Sequence, residues 1–103
     1  MNRQLDVHGF GARTASGHAT LVVILQHDTV PGRLVVVAPF VANGSRPVLS
    51  RYSPLVRFGE QDYLIATSEL AAVDKVDLGP SLGSVAHHRD AIVRALDLLF
   101  TGF

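Results

Sequence analysis

A chain of 103 residues is enough for one domain, because a core of this size hides only about two-thirds of the surface that the unfolded chain exposes. With 48% apolar and 17% charged residues, disorder is excluded and there is more apolar surface than one small core covers, for which a homodimer is the simplest remedy. Nine basic and nine acidic residues cancel and cysteine is absent; this argues against charge-driven binding of nucleic acid or membrane and excludes disulfides and thiolate sites, in keeping with a cytoplasmic address.

The chain opens on Arg3-Gln4-Leu5-Asp6-Val7-His8-Gly9-Phe10. Leu5 and Val7 fall on one side at period two, which predicts a half-buried strand, and nothing there is apolar enough for a secretion signal or a membrane span. Residues 11–17 are small, polar and glycine-flanked, the pattern of a surface connection. Leu21-Val22-Val23-Ile24-Leu25 is a largely β-branched run, short enough for a central strand covered on both faces. Val30-Pro31-Gly32-Arg33 has the proline–glycine order of a type II turn. The next run, Leu34-Val35-Val36-Val37-Ala38, is therefore expected to pair antiparallel with the run before the turn. Pro39 and Pro47 bracket a looser stretch containing Asn43-Gly44, expected at a sheet edge.

Leu55-Val56-Arg57-Phe58 and Tyr63-Leu64-Ile65-Ala66 predict a hairpin joined by the polar residues Gly59-Glu60-Gln61-Asp62. Thr67 or Ser68 is placed to cap a short helix through Glu69, Leu70 and Ala71, with a last short strand over residues 76–78. One long helix remains. Ser84 is its expected N-cap, Val85, Ile92, Ala95, Leu96 and Leu99 form its apolar stripe, and Asp90 and Arg94 make an i,i+4 pair on the opposite side. The elements describe a mostly β (α+β) protein, one domain over residues 1–103 with an antiparallel sheet and a C-terminal helix.

Few residues point to chemistry. The histidines His8, His18, His27, His87 and His88 include no i,i+4 helix pair and no H-x-H, so no metal site and no cofactor are expected. Gly9-Phe10-Gly11 lacks the third glycine of a phosphate-binding fingerprint, and no serine sits in a G-x-S-x-G elbow. The chain therefore reads as a non-enzyme. Arg33 is weighed separately: an arginine leading a buried strand could stabilise a phosphate in RNA cleavage with an acid or base among Asp28, Glu60 and Asp62, against the more frequent solvated arginine. At the other end, Leu98, Leu99 and Phe100 span about 200° of a helix, more than one packed face absorbs. Two readings stand level: an exposed partner patch, or Phe100 and Phe103 folded back onto the sheet.

Three stretches carry a resemblance: residues 21–37 with Gln26, Asp28 and Pro31-Gly32-Arg33; Tyr52-Ser53-Pro54-Leu55-Val56 through Gly59 to Leu70-Ala71; and His88-Arg89-Asp90 through Ala95 to Leu98-Leu99-Phe100-Thr101-Gly102-Phe103. In this order and at this length the chain resembles the CcdB toxins of plasmid-borne and chromosomal toxin–antitoxin modules. The resemblance implies an SH3-like barrel of CcdB/PemK type, with a main antiparallel sheet, a small second sheet and a C-terminal helix, assembled as a homodimer. It further implies binding and inhibition of the DNA gyrase A subunit, a role in plasmid maintenance, and neutralisation by a CcdA-like antitoxin. The family's gyrase-binding residues match Asp97, Phe100, Thr101, Gly102 and Phe103 here. Thr101 stands where the family has a tryptophan, Asp97 where it has an asparagine, and Thr29-Val30 where it has an isoleucine pair.

Two other functions compete. MazF/PemK toxins share this barrel and are ribonucleases, which would put chemistry at Arg33. A diverged, non-toxic relative would keep the dimer and the antitoxin without a target.

Overall fold

The computed structural model describes residues 3–10, 20–42 and 52–102. The connection expected over residues 11–17, the Asn43-Gly44 and Pro47 stretch, and Phe103 lie outside them. Among the described residues the strands are β1 (Asp6–Phe10), β2 (Thr20–Ile24), β3 (Leu34–Ala42), β4 (Leu55–Phe58), β5 (Gln61–Ile65), β6 (Ala71–Asp74) and β7 (Leu78–Ser84), followed by helix α1 (Arg89–Thr101). The β-branched runs form β2 and β3, which pair antiparallel with Ile24 opposite Val37 and Val22 opposite Pro39. Gly32 between them takes a left-handed φ of 112°, the conformation that a glycine after proline allows.

The sheet runs β4-β5-β3-β2-β1-β7, with β6 on β3, and every pairing is antiparallel. β3 serves both halves. One of its edges pairs with β2; the other pairs with β6 over Leu34 to Val37 and with β5 over Phe40 to Ala42. Pro39 lies at the changeover, accepting from Ala66 N–H at 3.0 Å. The expectation of a loose edge at Pro39 is thus corrected: the proline sits inside the longest strand, tolerated because one neighbour ends and the next begins where its missing N–H would have pointed.

β6 and β7 lie at opposite ends of the path β6-β3-β2-β1-β7, yet only the 3-10 turn Lys75–Asp77 separates them. Such a link reaches about 14 Å, whereas five flat strands span about 19 Å. The sheet must therefore curl until its ends approach, giving a barrel-like body. The same turn corrects the strand expected over residues 76–78: Val76 is 84% exposed, and strands form on either side of it instead. Likewise, β4 and β5 are joined by Gly59 and Glu60 alone, with Phe58 opposite Gln61, rather than by four residues. Thr67 does not cap a helix either. It opens a 3-10 turn, Thr67–Glu69, and its hydroxyl donates to Tyr52 O.

β2 has two buried faces, as its run of apolar residues predicts. Val23 and Leu25 join Leu5, Val7, Ala38, Phe40, Val56, Ile65, Val85 and Ile92 in the core that α1 covers. Val22 and Ile24 face the concave side with Val35 and Val37, closed over by Phe10, Val73 and Leu78 from three other strands. His8 is buried, and its Nδ1–H donates to Gly79 O at 2.8 Å. That bond fixes the tautomer and leaves Nε2 without a partner among the described residues.

Closure of the curl brings β4 against β7. Gly83 has φ 147°, and a Cβ there would stand 2.9 Å from the Phe58 ring. Gly83→Ala is expected to destabilise the fold by more than about 1 kcal/mol, from backbone strain and displacement of the ring. Gly59, at φ 63° with nothing within 4 Å of an added Cβ, should accept asparagine at about half a kcal/mol or less. Urea unfolding of Gly83→Ala and Gly59→Asn checks the contrast.

Ser84 Oγ accepts the Ala86 N–H at 3.0 Å and opens a 3-10 turn, Ala86–His88, that leads into α1. On the helix Ile92 and Ala95 are buried and Leu96 and Leu99 half-buried.

Candidate functional site at the end of the helix

The last turns of α1 hold most of the predicted site. Gly102, at φ 81°, ends the helix by donating its N–H to Leu98 O at 3.0 Å, the left-handed cap that glycine favours. Thr101 turns its hydroxyl back on Asp97 O at 2.6 Å. Asp97, Phe100, Thr101 and Gly102 are all exposed and lie on consecutive turns, while Phe103 lies outside the described residues. Phe100 is 70% exposed, so of the two readings of the helix end, its ring does not fold back onto the sheet.

Beside that ring lies a groove of about 300 Å³, lined by Leu25, Gln26, Val36, Leu70, Leu96 and Phe100. Its walls are almost wholly apolar. Gln26 is held in place by the backbone of β3, with Oε1 accepting from Val36 N–H at 3.4 Å and Nε2 donating to Leu34 O at 3.5 Å. The Leu96 and Phe100 side is legible in the sequence, since i,i+4 spacing is local, whereas Leu25, Gln26, Val36 and Leu70 belong to separate segments that no local spacing connects.

Arg33 is placed differently from expectation. Its Nε meets Asp74 Oδ2 at 3.1 Å, with the arginine side chain 79% exposed. None of Asp28, Glu60 and Asp62 is its ion-pair partner among the described residues: Asp28 accepts from Gln4 N–H, and Asp62 pairs with Arg57 at 3.2 Å. An ion pair so exposed adds little stability, so Arg33 remains available to an anion.

A second polar contact closes the barrel beside α1. Arg57 N–H, on the outer edge of β4, donates to His88 Nε2 at 3.1 Å, and the His88 ring lies 4.2 Å from that of His87. Desolvation first, and then the neighbouring His87, hold the His88 imidazole below its ordinary value of 6.5. The neutral ring is thus the folded form. The unfolded chain takes up a proton at higher pH than the folded one does, so the stability present above pH 6.5 is lost as pH falls below it. Thermal melting from pH 8 to 5 should show this decline, and His88→Gln, which keeps an acceptor without a titrating ring, should flatten it.

A curled antiparallel sheet with a C-terminal helix, whose last turn presents an unburied aromatic ring next to an apolar groove, defines a small barrel-type domain with a candidate docking surface. Solved structures share this fold, two toxins among them. The Mycobacterium tuberculosis toxin MazF-mt6 matches with TM-score 0.73 at 21% identity, over 92% of this chain and 95% of that one. A second structure, described as an Mtb toxin, matches with TM-score 0.69 at 20% identity, over 91% of this chain and 99% of that one. A search of curated proteins finds no match. The chain belongs to the CcdB protein family, whose profile matches residues 4–102. It is, accordingly, a toxin of a toxin–antitoxin system.

The expectation that the chain is not an enzyme is corrected: it shares its fold with the toxin MazF-mt6, and MazF toxins being ribonucleases, a missing nucleophile motif is no ground for excluding catalysis. The missing nucleophile motif speaks against serine and thiol hydrolases. RNA cleavage needs no such motif, because the substrate's own 2′-hydroxyl can attack the phosphate while an arginine stabilises the charge. Among the described residues no group of three or more side chains could hold a metal ion, and no helix is long and apolar enough to cross a membrane.

Proposed function

We propose that this toxin acts by docking the C-terminal end of α1 onto the A subunit of DNA gyrase and inhibiting it. Asp97, Phe100, Thr101, Gly102 and Phe103 form the contact, and a CcdA-like antitoxin relieves it. The observation that carries the reading is Phe100, a large aromatic side chain left 70% exposed beside an almost wholly apolar groove. Exposed apolar surface of this kind marks a partner site, and an aromatic ring at its centre is the usual hot spot. A homodimer, which would cover further apolar surface and place two helix ends side by side, belongs to the same reading. A pull-down of the gyrase A subunit with wild type and with Phe100→Ala tests it: wild type should retain the subunit and the variant should lose at least about thirtyfold in affinity.

One observation favours a second reading. Arg33 is exposed on a barrel shared with a MazF toxin, and its guanidinium pairs with Asp74 alone among the described residues. Ribonuclease activity on single-stranded RNA that is lost in Arg33→Ala, with gyrase left unbound, would replace the first reading by this one.

A further inference from the structure

Gln4 occupies a junction. Its N–H donates to Asp28 Oδ1 at 2.6 Å, its Nε2 donates to Leu25 O at 2.9 Å, and its Oε1 accepts from Arg89 Nη1 at 3.0 Å. One half-buried side chain and its backbone therefore tie the N-terminal segment to both ends of the Leu25–Asp28 stretch after β2 and to the first residue of α1. The next residue, Leu5, is only 2% exposed, yet it holds a φ of 68°, a conformation that a leucine adopts only when its surroundings impose it. The surroundings are visible. Leu5 N–H donates to Ile24 O at 2.7 Å, and Leu5 O accepts from Val85 N–H at 2.9 Å. Strained backbone is thus kept at the point where β2, the segment after it and the entry to α1 meet.

The two structures that Gln4 joins are the two walls of the groove. Leu25 and Gln26 form one; Leu96 and Phe100 on α1 form the other. Phe100 lies about 16 Å along the helix from Arg89, so a tilt of about 5° at the Gln4 end moves the ring by about 1.4 Å. We propose that Gln4 is a positioning residue for partner recognition, setting the separation of the groove walls through Leu25 on one side and Arg89 on the other. The inference rests on the groove being the partner surface.

The test has two arms. Without any partner, NMR of Gln4→Ala and Arg89→Ala should show shifted Leu96 methyl and Phe100 ring signals, with the Val73 methyls on β6 unmoved and Arg89→Lys close to wild type. With the gyrase A subunit, Gln4→Ala should lower affinity about tenfold in the wild-type background and less than twofold in a Phe100→Leu background, while the melting-temperature changes add. A merely structural role for Gln4 would instead lower affinity by the same factor in both backgrounds, and that result overturns the proposal. Unshifted Leu96 and Phe100 signals overturn it as well, whatever gyrase does. Shifted signals in a protein that fails to bind gyrase uphold the positioning role and remove gyrase as the partner.

Discussion

Thr101→Trp is expected to tighten binding to the gyrase A subunit by at least about thirtyfold, an aromatic anchor at the centre of an interface being worth about 2 kcal/mol or more. The structure makes this substitution permissive. Thr101 is exposed at the end of α1, its hydroxyl bonds back to Asp97 O within the same turn, and an indole there would lie beside Phe100 and extend the apolar surface toward the groove. Removing residues 101–103 should act in the opposite sense, abolishing binding with little loss of stability, because Thr101 and Gly102 are exposed and a terminal segment adds little to a core unless it is tied down. Affinity measurement paired with thermal melting of wild type, Thr101→Trp and the truncation decides the matter. If Thr101→Trp folds normally and binds no better, the helix end is aimed at a different surface, and the gyrase reading loses the residue on which it most depends.

The largest effect on stability is expected from Ile92→Ala. Ile92 is 1% exposed and is the helix residue that packs most deeply against the core built by β1, β2, β3, β4 and β5. Truncating it removes the transfer free energy of the lost carbons and leaves a cavity that rigid strands cannot collapse to fill, for a loss of about 3 kcal/mol. In a domain of this size that lowers the melting temperature by about 12–24 °C. Val93→Ala, one residue along and 43% exposed, should change stability by less than about half a kcal/mol. Urea unfolding of the pair separates the buried face of α1 from its open one. A loss below about 1 kcal/mol at Ile92 would mean that the helix does not anchor the barrel as described.

What could be read without coordinates was what depends on neighbours in the chain. β2 and β3 announce themselves because residues 21–25 and 34–38 are β-branched runs separated by a proline–glycine turn, and the burial of both faces follows from the absence of alternation. The stripe of Ile92, Ala95, Leu96 and Leu99, and the clustering of Asp97, Phe100, Thr101 and Gly102, follow from helical periodicity alone. β7 was not legible. Its residues Gly79, Pro80, Ser81 and Gly83 carry no apolar period, and it is a strand only because β1 pairs with it. Contacts between distant parts of the chain were equally hidden: Arg33 finds Asp74 at a separation of 41 residues and Arg57 N–H finds His88 at 31, whereas the sequence could offer Arg33 only the acids that looked plausible by type. The groove beside Phe100 takes its walls from the stretch after β2, from β3, from α1 and from the residue before β6, segments that only the folded sheet and the helix packed on it bring together. Local spacing determined which residues could form a helix end with an apolar face; only the closed sheet decided that its phenylalanine would find no room inside.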